Sequence, residues 1–288
     1  MRNDGCGPGR GEEVAIPAGP ARIGCLDTDT DCDPDEAPAR VVDLPAFTID
    51  KYEVSLGEFE TWFNSFFPKA DPGALVVEMQ TLALYETLGG SPISNWDYMW
   101  LPGRGFQVVL RPGVDPLLPV GSVTQYGAAM YCREHGGALP TEAEWEKAAR
   151  GGLDQPDMGA RLYPMGDSLP ASVLAHPDAS VPVGSTPEDV SPYRVFDMAG
   201  NVTEWTRDFY WRDTSELPDG TLWASQPRNM SYVGLTRSTR GGSFTSDAAD
   251  TRVSARQPFR EDGAERALRR PGSRPTFGFR CVREAPSP

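Results

Sequence analysis

The segment Asp197-Met198-Ala199-Gly200-Asn201-Val202-Thr203-Glu204 places two carboxylates and several backbone carbonyls within eight residues. Calcium is a hard cation that gathers oxygen ligands of both kinds, so this spacing suits it; the alternative is that Glu204 only caps or pairs locally. A second acidic run, Asp27, Asp29, Asp31, Asp33 and Asp35, alternates along the chain but does not form an EF-hand. Pro38 stands at the position of the bidentate Glu, and Cys32 occupies the place of the turn Gly. A solvated acidic loop pinned by Cys25 and Cys32 is expected instead, since no neighbouring His or Cys completes a zinc set around that pair. Iron chemistry needs two His and a carboxylate facing an open position. His135 and His176 are the only histidines, and neither sits in a ligand-spaced motif. No Gly-x-Ser-x-Gly elbow presents a hydrolase nucleophile.

The rest of the chain must position these groups. Its 288 residues, 39% hydrophobic and 24% charged, are enough to bury a full core. No apolar run approaches the roughly 18 residues of a membrane-spanning helix. With 41 acidic against 27 basic residues the net charge is −14, which repels phosphate backbones and argues against a nucleic-acid partner. Against that background the stretch from Arg252 to Arg283 is locally basic. Pairing with the surplus carboxylates is preferred there to an anion site.

Thirty Gly and 28 Pro foretell short elements and much irregular loop. Val14 to Ile23 and Val41 to Val54 read as strands and turns. Ser55 and Glu58 form a capping box ahead of a helix carrying Leu56, Phe59, Trp62, Phe63 and Phe66, and Pro68 stops it. Val76 to Leu88 is expected to be helical and Trp96 to Leu101 a packed aromatic loop. Thr124 caps a second helix reaching His135. Thr141 and Glu144 box a third, Glu142 to Arg150, with Trp145, Ala148 and Ala149 as its buried face. Few helices early, then short strands and long loops, indicate the α+β class. The expected organisation is a flexible leader over 1–12, one domain over 13–285 and a tail over 286–288.

Five separated motifs bear on identity. They are Phe47-Thr48-Ile49-Asp50-Lys51-Tyr52-Glu53-Val54-Ser55, Leu139-Pro140-Thr141-Glu142-Ala143-Glu144-Trp145-Glu146, the segment from Asp197 to Trp205, Arg240-Gly241-Gly242-Ser243-Phe244, and Gly278-Phe279-Arg280-Cys281. In this order, over nearly the whole chain, they resemble the sulfatase-modifying factor family, whose best-known member is the formylglycine-generating enzyme. The resemblance implies a C-type-lectin-like fold. It also implies calcium held by the side chains of Asp197 and Glu204 and the carbonyls of Gly200 and Val202, and a disulfide between Cys132 and Cys281. The family's second calcium loop has no recognisable counterpart.

The formylglycine-generating enzyme oxidises a substrate cysteine with copper held by two cysteine thiolates. Counting from the Gly-Gly-Ser turn places Ser246 and Thr251 at those positions. Hydroxyls are hard, weak ligands that stay protonated at neutral pH, so no copper is expected here. The resemblance then implies a degenerate groove near Arg240, Ser243, Ser246, Asp247 and Thr251. Its expected ligand is a peptide, glycan or protein, and the runner-up is a family enzyme with different, cysteine-independent tailoring chemistry. Paired cysteines favour an extracytoplasmic location although no apolar signal region is visible in this chain, and Cys6 is left as an attachment point or free thiol.

Overall fold

The computed structural model describes residues 11–66, 96–101, 105–121, 123–154, 160–176, 179–211, 236–260 and 277–285. The expected helix from Val76 to Leu88 and the proposed leader over 1–12, apart from its last two residues, lie outside them. Strand β4 (Phe47–Asp50) sits between β1 (Glu13–Ile16) and β11 (Val282–Glu284), antiparallel to both. The two ends of the domain therefore share one three-stranded sheet. A second sheet has the order β10 (Phe277–Gly278), β7 (Thr203–Phe209), β8 (Thr236–Arg240), β9 (Gln257–Arg260), with β10 parallel to β7 and the other pairs antiparallel. Strands β2 (Gly19–Ile23) and β3 (Arg40–Leu44) form a separate antiparallel ribbon.

Trp96 to Leu101 is not a loop. It is strand β5, paired from Trp96↔Leu110 to Leu101↔Gly105 with β6 (Gly105–Leu110). A run of large aromatic and apolar residues suits a pleated ribbon once a partner strand is beside it, and β6 supplies that partner.

The helices form where their caps place them. Helix α1 (Leu56–Phe66) begins at Ser55, whose backbone N–H and hydroxyl both donate to Glu58 Oε2, at 2.9 and 2.7 Å. Its apolar face, Leu56, Phe59, Trp62 and Phe63, packs into a core with Tyr131, Trp205, Phe277 and Phe279. Helix α2 (Gln125–Glu134) is capped by Thr124, which accepts from the Gly127 N–H at 3.0 Å. Its Cys132 is bonded to Cys281, 149 residues on, which ties the helix to the approach to β11. Cys25 and Cys32 form the second disulfide.

Helix α3 (Glu142–Arg150) carries the full capping box of Thr141 and Glu144 and ends at Gly151, where φ is 102°. Trp145, Ala148 and Ala149 are buried as expected, but so is every other residue of the helix, Glu142, Glu146, Lys147 and Arg150 included. The β2–β3 ribbon covers one side through Ala143, while Ile49, Val195, Met198 and Val253 pack against the other. A helix surrounded in this way cannot show its charges to water, so each finds a partner inside.

The Cys132–Cys281 bridge closes a loop of 149 residues, and the chain-entropy model assigns such a loop about 4–5 kcal/mol. Replacing both cysteines by Ala should lower the unfolding free energy by roughly that amount in a urea titration of the oxidised protein. A midpoint and slope unchanged from wild type would show that the bridge does not constrain the unfolded chain.

Candidate functional site

Strand β8 is followed by Gly241 and Gly242, both at positive φ (85° and 69°). Here glycine is required by space as well as conformation. A Cβ on Gly241 would stand 3.1 Å from the Trp145 ring, and one on Gly242 would meet Thr251 Cγ2 at 3.0 Å and Ser246 Cβ at 3.1 Å. The turn thus lies on α3 and is flanked by the two residues that the sequence singled out. Ser246 Oγ accepts from the Ser243 N–H at 3.0 Å, and the Ser246 N–H donates to the Ser243 carbonyl at 2.8 Å. Thr251 is fully buried and its hydroxyl donates to the Ala248 carbonyl at 3.1 Å. Ser243 Oγ pairs with Thr245 Oγ1 at 3.0 Å, and Asp247 Oδ1 accepts from the Asp250 N–H at 3.0 Å. These side chains close a turn through hydroxyls and a carboxylate. Cys25, Cys32, Cys132 and Cys281 are all disulfide-bonded, so none of them supplies a thiolate.

Arg240, expected at the groove, is instead buried. Its guanidinium reaches Glu146 Oε2 at 2.7 Å and Glu142 Oε2 at 3.2 Å and donates to the Val253 carbonyl at 2.9 Å. The fully buried carboxylates of α3 draw it inward. The remaining candidate groove residues, Ser243, Ser246, Asp247 and Thr251, do sit together on the 243–251 segment, with Ser246 and Asp247 reaching solvent. Beside them Arg252 forks onto Glu36 through Nη1 and Nη2, at 2.8 and 2.9 Å, and also reaches Asp29. The acidic loop is therefore only partly solvated, since Asp35 and Glu36 are buried.

The 197–204 loop adjoins the turn through the Phe244 N–H, which donates to the Asn201 carbonyl at 3.0 Å. Asp197, Gly200 and Asn201 all have positive φ, a conformation that Gly, Asn and Asp tolerate best. Asp197 Oδ2 accepts from the Gly184 N–H at 2.6 Å. Glu204 is fully buried. Its Oε1 accepts from Arg280 Nη2 at 2.7 Å, and its Oε2 from Arg280 Nε at 2.8 Å and Trp145 Nε1 at 2.9 Å. Glu204 neither caps nor pairs locally, its partners coming from distant segments, and a cation there would have to share those oxygens with a guanidinium.

Two acids that sequence reasoning passed over complete the surroundings. Glu53 accepts from Asn201 Nδ2 at 2.6 Å and the Val202 N–H at 3.1 Å, and Asp189 Oδ2 accepts from the Ala199 N–H at 3.0 Å. Burial, with Asp197 and Glu204 nearby, holds the Glu53 carboxyl well above its usual range. Burial and the Asp197 charge push Asp189 up to about 7, and burial pushes Asp197 to about 6. Four buried carboxylates around the single guanidinium of Arg280 fit a divalent cation on charge. The only sequence signal for Glu53 was its place in the first motif; Asp189 carried none.

Asp208, in β7, is buried as well and accepts from the Glu142 N–H at 2.7 Å. Burial and the Glu142 charge raise its carboxyl to about 7, against about 3.9 unfolded. The native state then holds the proton more tightly than the unfolded chain, so stability falls as pH rises from about 4 to about 7 and levels off above. Asp208→Asn should match wild type near pH 4 and exceed it at pH 8 by on the order of 1–3 kcal/mol in denaturant titrations. An equal difference at both pH values would remove Asp208 from that dependence.

With the geometry in hand, comparisons place the chain. The family model of the sulfatase-modifying factor enzyme 1-like domain matches residues 8–285. The formylglycine-generating enzyme of Thermomonospora curvata is 33% identical over 267 residues, covering 80% of this chain and 82% of the relative. Its namesake from Bos taurus is 30% identical over 300 residues, covering 93% and 74%. Among solved structures, PvdO from Pseudomonas aeruginosa superposes with a TM-score of 0.63 at 22% identity, covering 95% of this chain and 94% of that one, which supports the C-type-lectin-like α+β fold. The chain belongs to the sulfatase-modifying factor family.

Proposed function

We propose that this protein is a non-catalytic member of its family, which binds an extended peptide, a glycan or a partner protein at the surface beside the Gly-Gly-Ser turn. One observation carries the reading. Where the copper-holding relatives need two thiolates, Ser246 and Thr251 present hydroxyls already engaged in the turn. The scaffold around them is complete, from the boxed helix α3 to the Arg280–Glu204 pair. Of the three ligand classes an extended peptide is favoured, because the family groove takes a peptide in that form. The acidic charge of the chain leaves no basis for a nucleic-acid ligand. Two disulfides suit an oxidising compartment outside the cytoplasm, and among the described residues no helix is long and apolar enough to cross a membrane. Calcium bracing of the 197–204 loop is part of the proposal, supported by the excess of buried carboxylates there.

A second reading, an enzyme with cysteine-independent chemistry, draws on the relatives, which are named as enzymes and align over most of the chain. A tightly bound organic cofactor in the native mass spectrum would favour it.

Copper and a sulfatase-motif peptide incubated with the protein should give no aldehyde by mass spectrometry. Turnover by the wild-type chain would end the non-catalytic reading. Because Ser246 and Thr251 flank Gly242 at contact distance, the double variant Ser246→Cys/Thr251→Cys should gain one equivalent of copper(I) that wild type does not retain. Metal analysis after gel filtration reads this directly, and copper retained by wild type would contradict the assignment.

A further inference from the structure

Period two gives the β2–β3 ribbon two unlike faces. Ala21, Ile23, Val42 and Leu44 form one, packed on Ala143 of α3, and the directly paired Arg22 and Val41 belong to the other. Past the ribbon the chain makes the acidic loop, whose two legs are in close contact. The Cys25 N–H donates to the Glu36 carbonyl at 2.9 Å, and a Cβ on Gly24 would stand 2.6 Å from that same oxygen. With the Cys25–Cys32 disulfide these contacts make a fixed wall. Against it lies an open cavity of about 620 Å³, lined by Arg22, Arg40 and Val41 of the ribbon and by Leu26, Asp29 and Pro38 of the chain between its strands. Ligand sites usually measure about 300–1,000 Å³, so the space suffices for a small ligand or part of a larger one.

The charges in this cavity are not matched as they are elsewhere. Arg150, Arg240, Arg252, Arg256 and Arg280 each hold a carboxylate. The guanidinium of Arg22, half-buried in a chain of net charge −14, has no hydrogen-bond or ion-pair partner among the described residues. Asp29 does not serve it, because Arg252 and the Asp31 N–H take its two oxygens. Asp27, also on the cavity wall, is exposed and screened by water. A sheltered guanidinium with open donors, next to the exposed apolar surfaces of Val41 and Pro38, matches a carboxylate carried on aliphatic carbon.

We propose that Arg22 anchors a carboxylate-binding subsite, and that the peptide taken beside the Gly-Gly-Ser turn places a carboxylate in it. The inference rests on the peptide-binding reading and adds a charge specificity to it. Arg252 joins the two places: it follows Thr251 in the chain, forks onto Glu36 and reaches Asp29 of the cavity wall. Arg40, on the same ribbon, adds positive potential to the cavity.

The test is a positional-scanning octapeptide library, amidated at the C-terminus in one arm and free in the other, applied to the full oxidised chain as wild type, Arg22→Gln and Arg22→Lys. Wild type should select a carboxylate at least about tenfold over its amide. That preference is Glu over Gln at one position of the amidated arm if a side chain supplies the group, and the free arm over the amidated arm if the C-terminus does. Arg22→Gln should still bind peptides with the preference reduced to within about twofold, and Arg22→Lys, which keeps the charge without the planar fork, should retain part of it. Whatever the fate of the variants, the wild-type preference should shrink as salt rises from about 50 to about 500 mM; one that salt leaves unchanged overturns the charged anchor. Peptides bound by wild type without regard to a carboxylate, or a preference intact in Arg22→Gln, overturn the subsite and leave the peptide reading standing. No peptide bound by wild type removes both.

Discussion

The structure depends on charge carried into the centre of the domain and neutralised there. Glu146 of α3 lies between Arg150, at 2.7 Å, and Arg240, at 2.7 Å, and also accepts from the Gly24 N–H at 2.8 Å. Glu142 receives Arg256 through two bonds of 2.7 and 2.8 Å. Lys147 donates to the carbonyls of Pro17 and Gly19. In a low-dielectric interior a lone charge of this kind would cost several kcal/mol, so each element that supplies a partner is held in register by its charge as well as its apolar surface. A helix of nine residues thereby links the β2–β3 ribbon, strand β8 and the segment before β9.

The functional surface inherits its shape from that arrangement. Gly241 can rest on Trp145 because α3 is fixed beneath it, and Trp145 in turn donates to Glu204, the partner of Arg280. The turn, the 197–204 segment and the Gly-Phe-Arg-Cys segment between β10 and β11 are three ends of one buried network. Ser246 and Thr251, beside the turn, make their own hydrogen bonds locally and carry none of the network's charge.

Local signals were legible in the sequence wherever a short stretch decides its own structure. The capping residues Ser55, Thr124 and Thr141 all start helices as read, since a side-chain oxygen and an N–H three residues on need no distant partner. The pairing of the basic tail with surplus acids was also foreseeable from charge balance, and Arg252, Arg256, Arg280 and Arg283 all find carboxylates. Strand β5 was misread because an aromatic run acquires its period only when β6 lies beside it.

By itself the sequence determined the starts of the three described helices, the α+β class and the Cys25–Cys32 pair, and its resemblance to the family implied the Cys132–Cys281 pair. Tertiary structure alone decided which charges are inside. Arg240 reads as a surface residue next to a glycine turn, and only the carboxylates of α3, a hundred residues earlier in the chain, make its burial favourable. Asp189 reads as an ordinary loop acid until the chain reversal at 190–196 brings it against Asp197. Side-chain ionisation and metal affinity depend on the sum of neighbouring charges and the water excluded, and those neighbours come together from segments that no local pattern connects.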